Sequence, residues 1–263
     1  MDFFLNAARQ NADYRKLAKY LETDNPLPAL VTGVSHIHKA HFITALLREK
    51  IQLPVLVIAE SEGEAQKLCL DINMMSGENT ALLYPAKELV LGGVEAASRE
   101  YEHKRIFALS AMADGTCGAV ICSAEAAAQL TIPPDELERR TVNISEGDEI
   151  SQDEIVARLT AAGFVRTDLI EGAGQFSVRG GIIDVFPPSS IKPFRIELWG
   201  DSVDSISEFD PDTQRRTEGR ETICISPACE TLFDSDAELC ARIEMMVSKI
   251  RGKRAEELRR GFM

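Results

Sequence analysis

The sequence predicts an α/β protein in two parts, a parallel-sheet domain followed by a smaller, mainly antiparallel α+β domain. Three observations carry that expectation. Short apolar runs alternate with stretches of helical spacing over the first 130 residues, which is the rhythm of βαβ units. After Pro133-Pro134 the rhythm changes to short alternating strands separated by glycine turns. A chain of 263 residues is long enough for about two domains, each able to close a core.

Residues 3–22 place Leu5, Ala8, Tyr14, Leu17, Ala18 and Leu21 near helical spacing, so one helix is expected there, ended by a turn at Asn25-Pro26. Ala29-Leu30-Val31-Thr32-Gly33 reads as a buried strand running into a loop, and His38 to Glu49 as the helix after it. Pro54 to Ala59 is the next strand. Ser61-x-x-Glu64 is a capping box, in which the serine oxygen accepts the N–H three residues on and opens a helix. Ala81 to Tyr84 and Ala119 to Cys122 are further strands. Between them lie an irregular Gly92-Gly93 stretch and an amphipathic helix from Ala97 to Met112, closed by Asp114-Gly115.

In the second part, Ser151-x-x-Glu154 caps a helix that stops at Gly163. Strands are expected at 175–179, 182–186, 194–199 and 202–209, with Gly180-Gly181 and Gly200-Asp201 as two-residue hairpin turns. From about 217 the pattern turns irregular, and from about 235 it is helical. That helix is still running in Arg254 to Arg260 where the sequence stops, so a piece of a longer polypeptide is expected. The expected divisions are 1–132, 133–216 and 217–263, the last returning to the first domain.

At 44% apolar and 27% charged residues, with no apolar run near the ~20 that a membrane span needs, the chain reads as globular, and transmembrane and disordered classes are excluded. Its start, Met1-Asp-Phe-Phe-Leu, lacks the basic region and cleavage site of a secretory signal. Six cysteines without CxxC spacing fit a reducing cytoplasm and no zinc ribbon, and Cys69, Cys117, Cys122 and Cys224 read as small core residues. A formal charge of −13 repels a phosphate backbone over most of the surface, which argues against broad nucleic-acid binding. The basic tail of Lys249, Arg251, Lys253, Arg254, Arg259 and Arg260 reads as a solvated helix face.

Gly33-Val-Ser-His-Ile-His38-Lys39-Ala40 has the spacing of a phosphate-binding P-loop and lies between an expected strand and helix. Two positions break the pattern. The second glycine, which lets backbone N–H groups curl around phosphate, is His38, and the hydroxyl that holds Mg²⁺ is replaced by Ala40. The expectation is a degenerate P-loop at Gly33, His38, Lys39 and Ala40, without productive ATP hydrolysis; standing alone, Lys39 also reads as a surface lysine at a helix start. His36, His38 and His41 have poor spacing for a metal site and lack a neighbouring Cys or carboxylate, so no metal centre is expected.

In Phe194-Arg-Ile-Glu-Leu-Trp199 the period-2 rule puts Phe194, Ile196 and Leu198 on the core face and Arg195, Glu197 and Trp199 on the other. The only tryptophan thus shares a surface with two opposite charges, the composition of an interaction hot spot. The same rule turns Phe176 and Val178 inward and Arg179 outward. The plainer alternative is that Trp199 folds over an edge strand while the arginines pair with local carboxylates.

The run Gly174-Gln-Phe-Ser-Val-Arg-Gly-Gly-Ile-Ile-Asp-Val-Phe-Pro-Pro188, with Pro193-Phe-Arg-Ile-Glu-Leu-Trp-Gly-Asp201, Asp204-Ser-Ile206 and Phe209-Asp-x-x-Thr-Gln-Arg215, resembles the second domain shared by the excinuclease subunit UvrB and the bacterial transcription-repair coupling factors. The α/β half, with Arg99-Glu-Tyr-Glu-His-Lys-Arg105, is similar to the same proteins. UvrB carries an intact phosphate loop and a long damage-probing β-hairpin. Here the loop is degenerate and only Pro85 to Ala97 separates strand from helix, so the resemblance is to the amino-terminal, UvrB-like region of the coupling factors.

The resemblance implies a helicase-like fold for the first domain and a UvrA-docking role for the second. It implies UvrA contact through Arg179, Arg195, Glu197 and Trp199, the last replacing a usual phenylalanine. It also implies no catalytic residue and no cofactor for this chain. The ATP and Mg of the full-length translocase, its RNA polymerase and DNA contacts, and a C-terminal domain that masks the patch would lie beyond Met263. The alternative function is a UvrB-type nucleotide-dependent repair ATPase working through Lys39.

Overall fold

The computed structural model describes residues 2–23, 28–49, 55–77, 79–87 and 99–249, with the backbone alone at 2–5 and 36. The Asn25-Pro26 turn, the Gly92-Gly93 stretch, most of the Pro85–Ala97 connection and the basic tail beyond Lys249 lie outside the described residues. By internal packing the chain divides into two units, one holding the residues up to Glu138 together with Pro187–Ile191, the other Arg139–Phe186 and the residues from Lys192 on.

In the first unit, helices α1 (Asp2–Gln10), α2 (Ala12–Leu21) and α3 (His36–Leu47) precede β1 (Val55–Ala59), α4 (Glu62–Ser76), β2 (Ala81–Tyr84), α5 (Glu100–Ala113), β3 (Ala119–Ser123), α6 (Ala124–Ala128) and α7 (Pro134–Arg140). The strands form a parallel sheet in the order β1-β3-β2. Alternation along β3 sorts the core. Ala119 and Ile121 pack with Ala40 of α3 and Leu68 and Ile72 of α4, while Val120 and Cys122 pack with Ala108 of α5 and Ala126 of α6. The central strand is therefore covered on both faces, as parallel sheets are. Ser61 opens α4 as expected, its Oγ accepting from the Glu64 N–H at 3.3 Å.

Two expectations in this unit are corrected. The single helix at 3–22 is two helices, because the Asn11 side chain accepts from the N–H groups of Asp13 and Tyr14 and starts a new one. Residues 28–35 form no strand, and Leu30 is 90% exposed. This run makes no ladder with the sheet and instead lines a cleft of about 620 Å³ beside Tyr14, Leu17, His41 and Phe42. A short apolar run does not by itself distinguish a strand from such a segment.

The second unit holds β4 (Val142–Ser145), α8 (Gln152–Ala161), β5 (Val165–Arg166), β6 (Gln175–Arg179), β7 (Ile182–Phe186), β8 (Phe194–Trp199), β9 (Ser202–Phe209), β10 (Arg216–Gly219), β11 (Thr222–Ile225) and α9 (Asp236–Ser248). A six-stranded sheet runs β10-β9-β8-β7-β6-β5, antiparallel except for β5 with β6, and β4 pairs with β11. Ser151 caps α8, and the helix stops at Gly163. One sheet face, with Phe176, Ile183, Val185, Ile196 and Ile206, packs against Ile155 and Leu159 of α8 and against Ile144 and Ile223 of the β4–β11 ribbon.

The four strands expected at 175–209 form over the residues named, but the irregular structure expected after 217 contains β10 and β11. The boundary expected at 216/217 falls inside β10, and β11 beyond it pairs with β4 of the same unit. Cys69, Cys117 and Cys122 are buried, whereas Cys224 is exposed: alternation on β11 turns Ile223 and Ile225 inward and leaves Cys224 outside.

Candidate docking site

The face of the six-stranded sheet away from α8 carries the charged residues. β6 and β7 meet in a hairpin at Gly180-Gly181, where a Cβ on Gly181 would lie 2.8 Å from the Leu198 carbonyl oxygen, so only glycine admits this approach. The β8–β9 hairpin turns at Gly200, whose φ of +64° is costly for any residue with a Cβ. The register shifts by one between the pairs Glu197–Ser205 and Leu198–Val203, with Asp204 the extra residue on β9. Such a bulge bends the ribbon, here just before Trp199.

Arg195 and Asp184 stand opposite each other across β8 and β7. Arg195 donates from Nε to Oδ1 of Asp184 at 2.7 Å and from Nη2 to Oδ2 at 2.9 Å, and its guanidinium lies 4.6 Å from the centroid of the buried Phe209 ring. The same carboxylate takes Nη2 of Arg179 at 2.7 Å. Asp184 is 2% exposed, Arg195 11% and Arg179 46%, so one buried acid holds one buried and one outward-facing arginine. Hydrogen bonding to Asp184 raises the Arg195 pKa above arginine's ordinary value against the opposing effect of burial, keeping it charged.

Gln214 completes the cluster from the turn after β9. Its backbone is left-handed at φ +59°, its Oε1 accepts from Nη2 of Arg179 and of Arg195 at 3.2 Å each, and its backbone oxygen accepts from Nη1 of Arg195 at 3.3 Å. Glu197 is paired with Arg216 of β10 and accepts from Ser205 Oγ at 3.4 Å. Trp199, at the hairpin end, is 85% exposed.

All four expected site residues therefore lie on β6 and β8 of one sheet, but they differ in kind. Arg179 and Trp199 are presented to solvent, Arg195 is largely enclosed, and Glu197 is neutralised by Arg216. The sequence reading missed Asp184 and Gln214. Asp184 left a signal, a lone acid within Ile182-Ile-Asp-Val-Phe186 that falls directly opposite Arg195 once β7 and β8 pair. Gln214 left none, because a left-handed glutamine has no sequence signature.

At the degenerate P-loop, Gly33 has φ +82° and His38 lies in the first turn of α3, its Nδ1 2.7 Å from Ser35 Oγ. Ala40 is buried against α4 and the sheet. Lys39 Nζ donates to Glu64 Oε1 at 2.8 Å. A Mg-nucleotide does not fit these residues: position 40 offers no oxygen to the metal, the lysine is already paired, and an imidazole stands where phosphate needs bare backbone. Among the described residues, no group of three His, Cys, Asp or Glu side chains is placed to hold a metal ion, and no helix is long and apolar enough to cross a membrane.

Residues 142–230, which hold the six-stranded, largely antiparallel sheet, match the UvrB interaction domain family. The chain as a whole is homologous to the amino-terminal region of the transcription-repair-coupling factors. It is 30% identical over 233 residues to the transcription-repair-coupling factor of Bacillus subtilis (strain 168), covering 89% of this chain and 20% of that protein. It is 28% identical over 221 residues to that of Myxococcus xanthus and 30% identical over 207 residues to that of Staphylococcus haemolyticus, covering 80% and 79% of this chain and 18% of each relative. The chain thus spans about a fifth of the length of the curated relatives it matches.

Proposed function

We propose that this chain is a non-catalytic docking module that recruits UvrA for transcription-coupled nucleotide excision repair in the bacterial cytoplasm. Trp199 carries the reading: a lone, 85% exposed tryptophan at a hairpin end, on the sheet face that also carries the exposed Arg179 and the largely enclosed Arg195. Tryptophan and arginine are the side chains that dominate protein interfaces, because each buries a large surface while keeping a polar or charged handle. Arg195 and Glu197 lie on the same sheet face and are held there by ion pairs, the first with Asp184 and the second with Arg216.

RNA polymerase contact, ATP-driven DNA translocation and masking of the patch by a C-terminal domain belong, in this reading, to other parts of a coupling factor. Masking predicts tighter UvrA binding by this chain than by the intact protein. The deciding experiment is a calorimetric titration of the chain with purified UvrA, alongside Trp199→Ala. Binding that the substitution removes supports the module and locates its centre. A folded wild-type chain that does not bind UvrA overturns it.

A further inference from the structure

The geometry points to Asp184 and the Gln214 side chain as positioning residues that hold Arg179 ready for a carboxylate on the docking partner; the partner's identity rests on the reading above. Asp184 is 2% exposed and cannot itself reach a partner. Its Oδ2 takes Arg179 Nη2 at 2.7 Å, and Gln214 Oε1 takes the same nitrogen at 3.2 Å. The Gln214 amide is fixed in turn, since its Nε2 donates to the Pro211 carbonyl oxygen at 2.7 Å and leaves Oε1 toward the arginines. Among the described residues the hydrogen bonds of Arg179 run from Nη2 alone, so Nε and Nη1 remain to donate outward.

Charge selects the acceptor. Two guanidiniums share one carboxylate, and Glu197 is matched by Arg216, so the patch keeps one positive charge in a chain of net charge −13. A planar donor fork with a positive charge is matched best by a carboxylate, through short charge-assisted bonds. A long arginine that is already ordered loses less conformational freedom on binding than a mobile one, which is how residues that never touch the partner set its affinity.

Gln214→Asn keeps a side chain that tolerates the left-handed backbone while withdrawing the carbonyl from Arg179. It is expected to weaken UvrA binding roughly ten-fold, the equivalent of one charge-assisted hydrogen bond. In an Arg179→Ala background it is expected to change affinity less than about two-fold, because the group it positions is gone. Equal losses in both backgrounds would mean a structural role only and would overturn the assignment.

A second readout needs no partner. The ¹⁵Nε heteronuclear NOE of Arg179 in the free chain should report an ordered side chain in the wild type and a mobile one in Gln214→Asn and Asp184→Asn. Unchanged order in a folded Gln214→Asn overturns the positioning role. An ordered Arg179 that responds to the variants, in a chain that fails to bind UvrA, sustains it and overturns the UvrA reading instead.

Discussion

Arg195 on β8 and Asp184 on β7 face each other in register and join through two parallel hydrogen bonds of 2.7 and 2.9 Å, with Asp184 almost fully enclosed. The pair joins fold and candidate function, because the carboxylate that neutralises the buried arginine also takes the exposed Arg179. The two-fold strand period turns Arg179 and Arg195 outward on their own strands; the pairing of β6 and β8 on either side of β7 brings them to one acid.

Arg195→Ala should therefore act first on stability. Removing one member of a buried, hydrogen-bonded pair leaves the other charge uncompensated, at a cost of about 3–5 kcal/mol, reduced here because Arg179 still reaches Asp184. A urea midpoint lowered by an amount equal to about 2–3 kcal/mol is expected. An unchanged midpoint would mean that water already solvates the pair.

Trp199→Ala should leave the urea midpoint within about 0.5 kcal/mol of wild type, since the side chain is 85% exposed and contributes little to the core. In the proposed reading its effect falls on binding. Truncating an aromatic anchor costs at least ~2 kcal/mol, about thirty-fold in UvrA affinity by titration calorimetry. A folded variant with wild-type affinity would remove Trp199 from the interface.

How much of this was legible follows from what sequence encodes locally. Strand alternation put Phe176, Val178, Phe194, Ile196 and Leu198 on one face and Arg179, Arg195, Glu197 and Trp199 on the other, because side-chain direction on a strand depends only on neighbours in the chain. Asp184 and Gln214 were harder to see. Their roles depend on strand pairing and on a left-handed turn, which period and composition do not report. The missing strand at 29–33 has the same origin: apolar character is local, but a ladder needs an edge to join.

Acid should weaken the second unit in part through Glu208, whose carboxyl pKa is held below its ordinary value chiefly by hydrogen bonding to Arg220, with Lys192 adding to it. A carboxylate with a depressed pKa in the fold contributes stability that is present above its unfolded pKa of about 4.3 and is lost as pH falls through the lower folded value. Between those values the unfolded chain binds more protons, so stability rises with pH. Arg220→Gln should flatten that rise below about pH 4.5 in urea titrations at stepped pH. An identical slope in the variant would assign the acid sensitivity to other carboxylates.

Thiol labelling checks the two cores independently of any partner. Burial pushes the Cys69 thiol up to about 11 and raises Cys117 and Cys122 as well, so at pH 8 these three remain protonated and enclosed. Cys224 and Cys240 are exposed and should react with a disulfide reagent first, the buried three only on denaturation. Prompt labelling of Cys69 would show that α4 opens from the sheet at low cost.

The nucleotide question turns on Lys39. In a working phosphate loop the lysine is free to meet phosphate; here its Nζ donates to Glu64 Oε1 at 2.8 Å, and binding phosphate would mean breaking that pair while an imidazole crowds the loop and Ala40 offers the metal nothing. Titration with Mg-ATP should give no saturable signal at micromolar concentration. Lys39→Ala should cost less than about 1 kcal/mol of stability, the worth of a half-exposed ion pair, and should leave UvrA affinity unchanged. Micromolar Mg-ATP binding that Lys39→Ala abolishes would reverse the argument and make the UvrB-type ATPase the better reading.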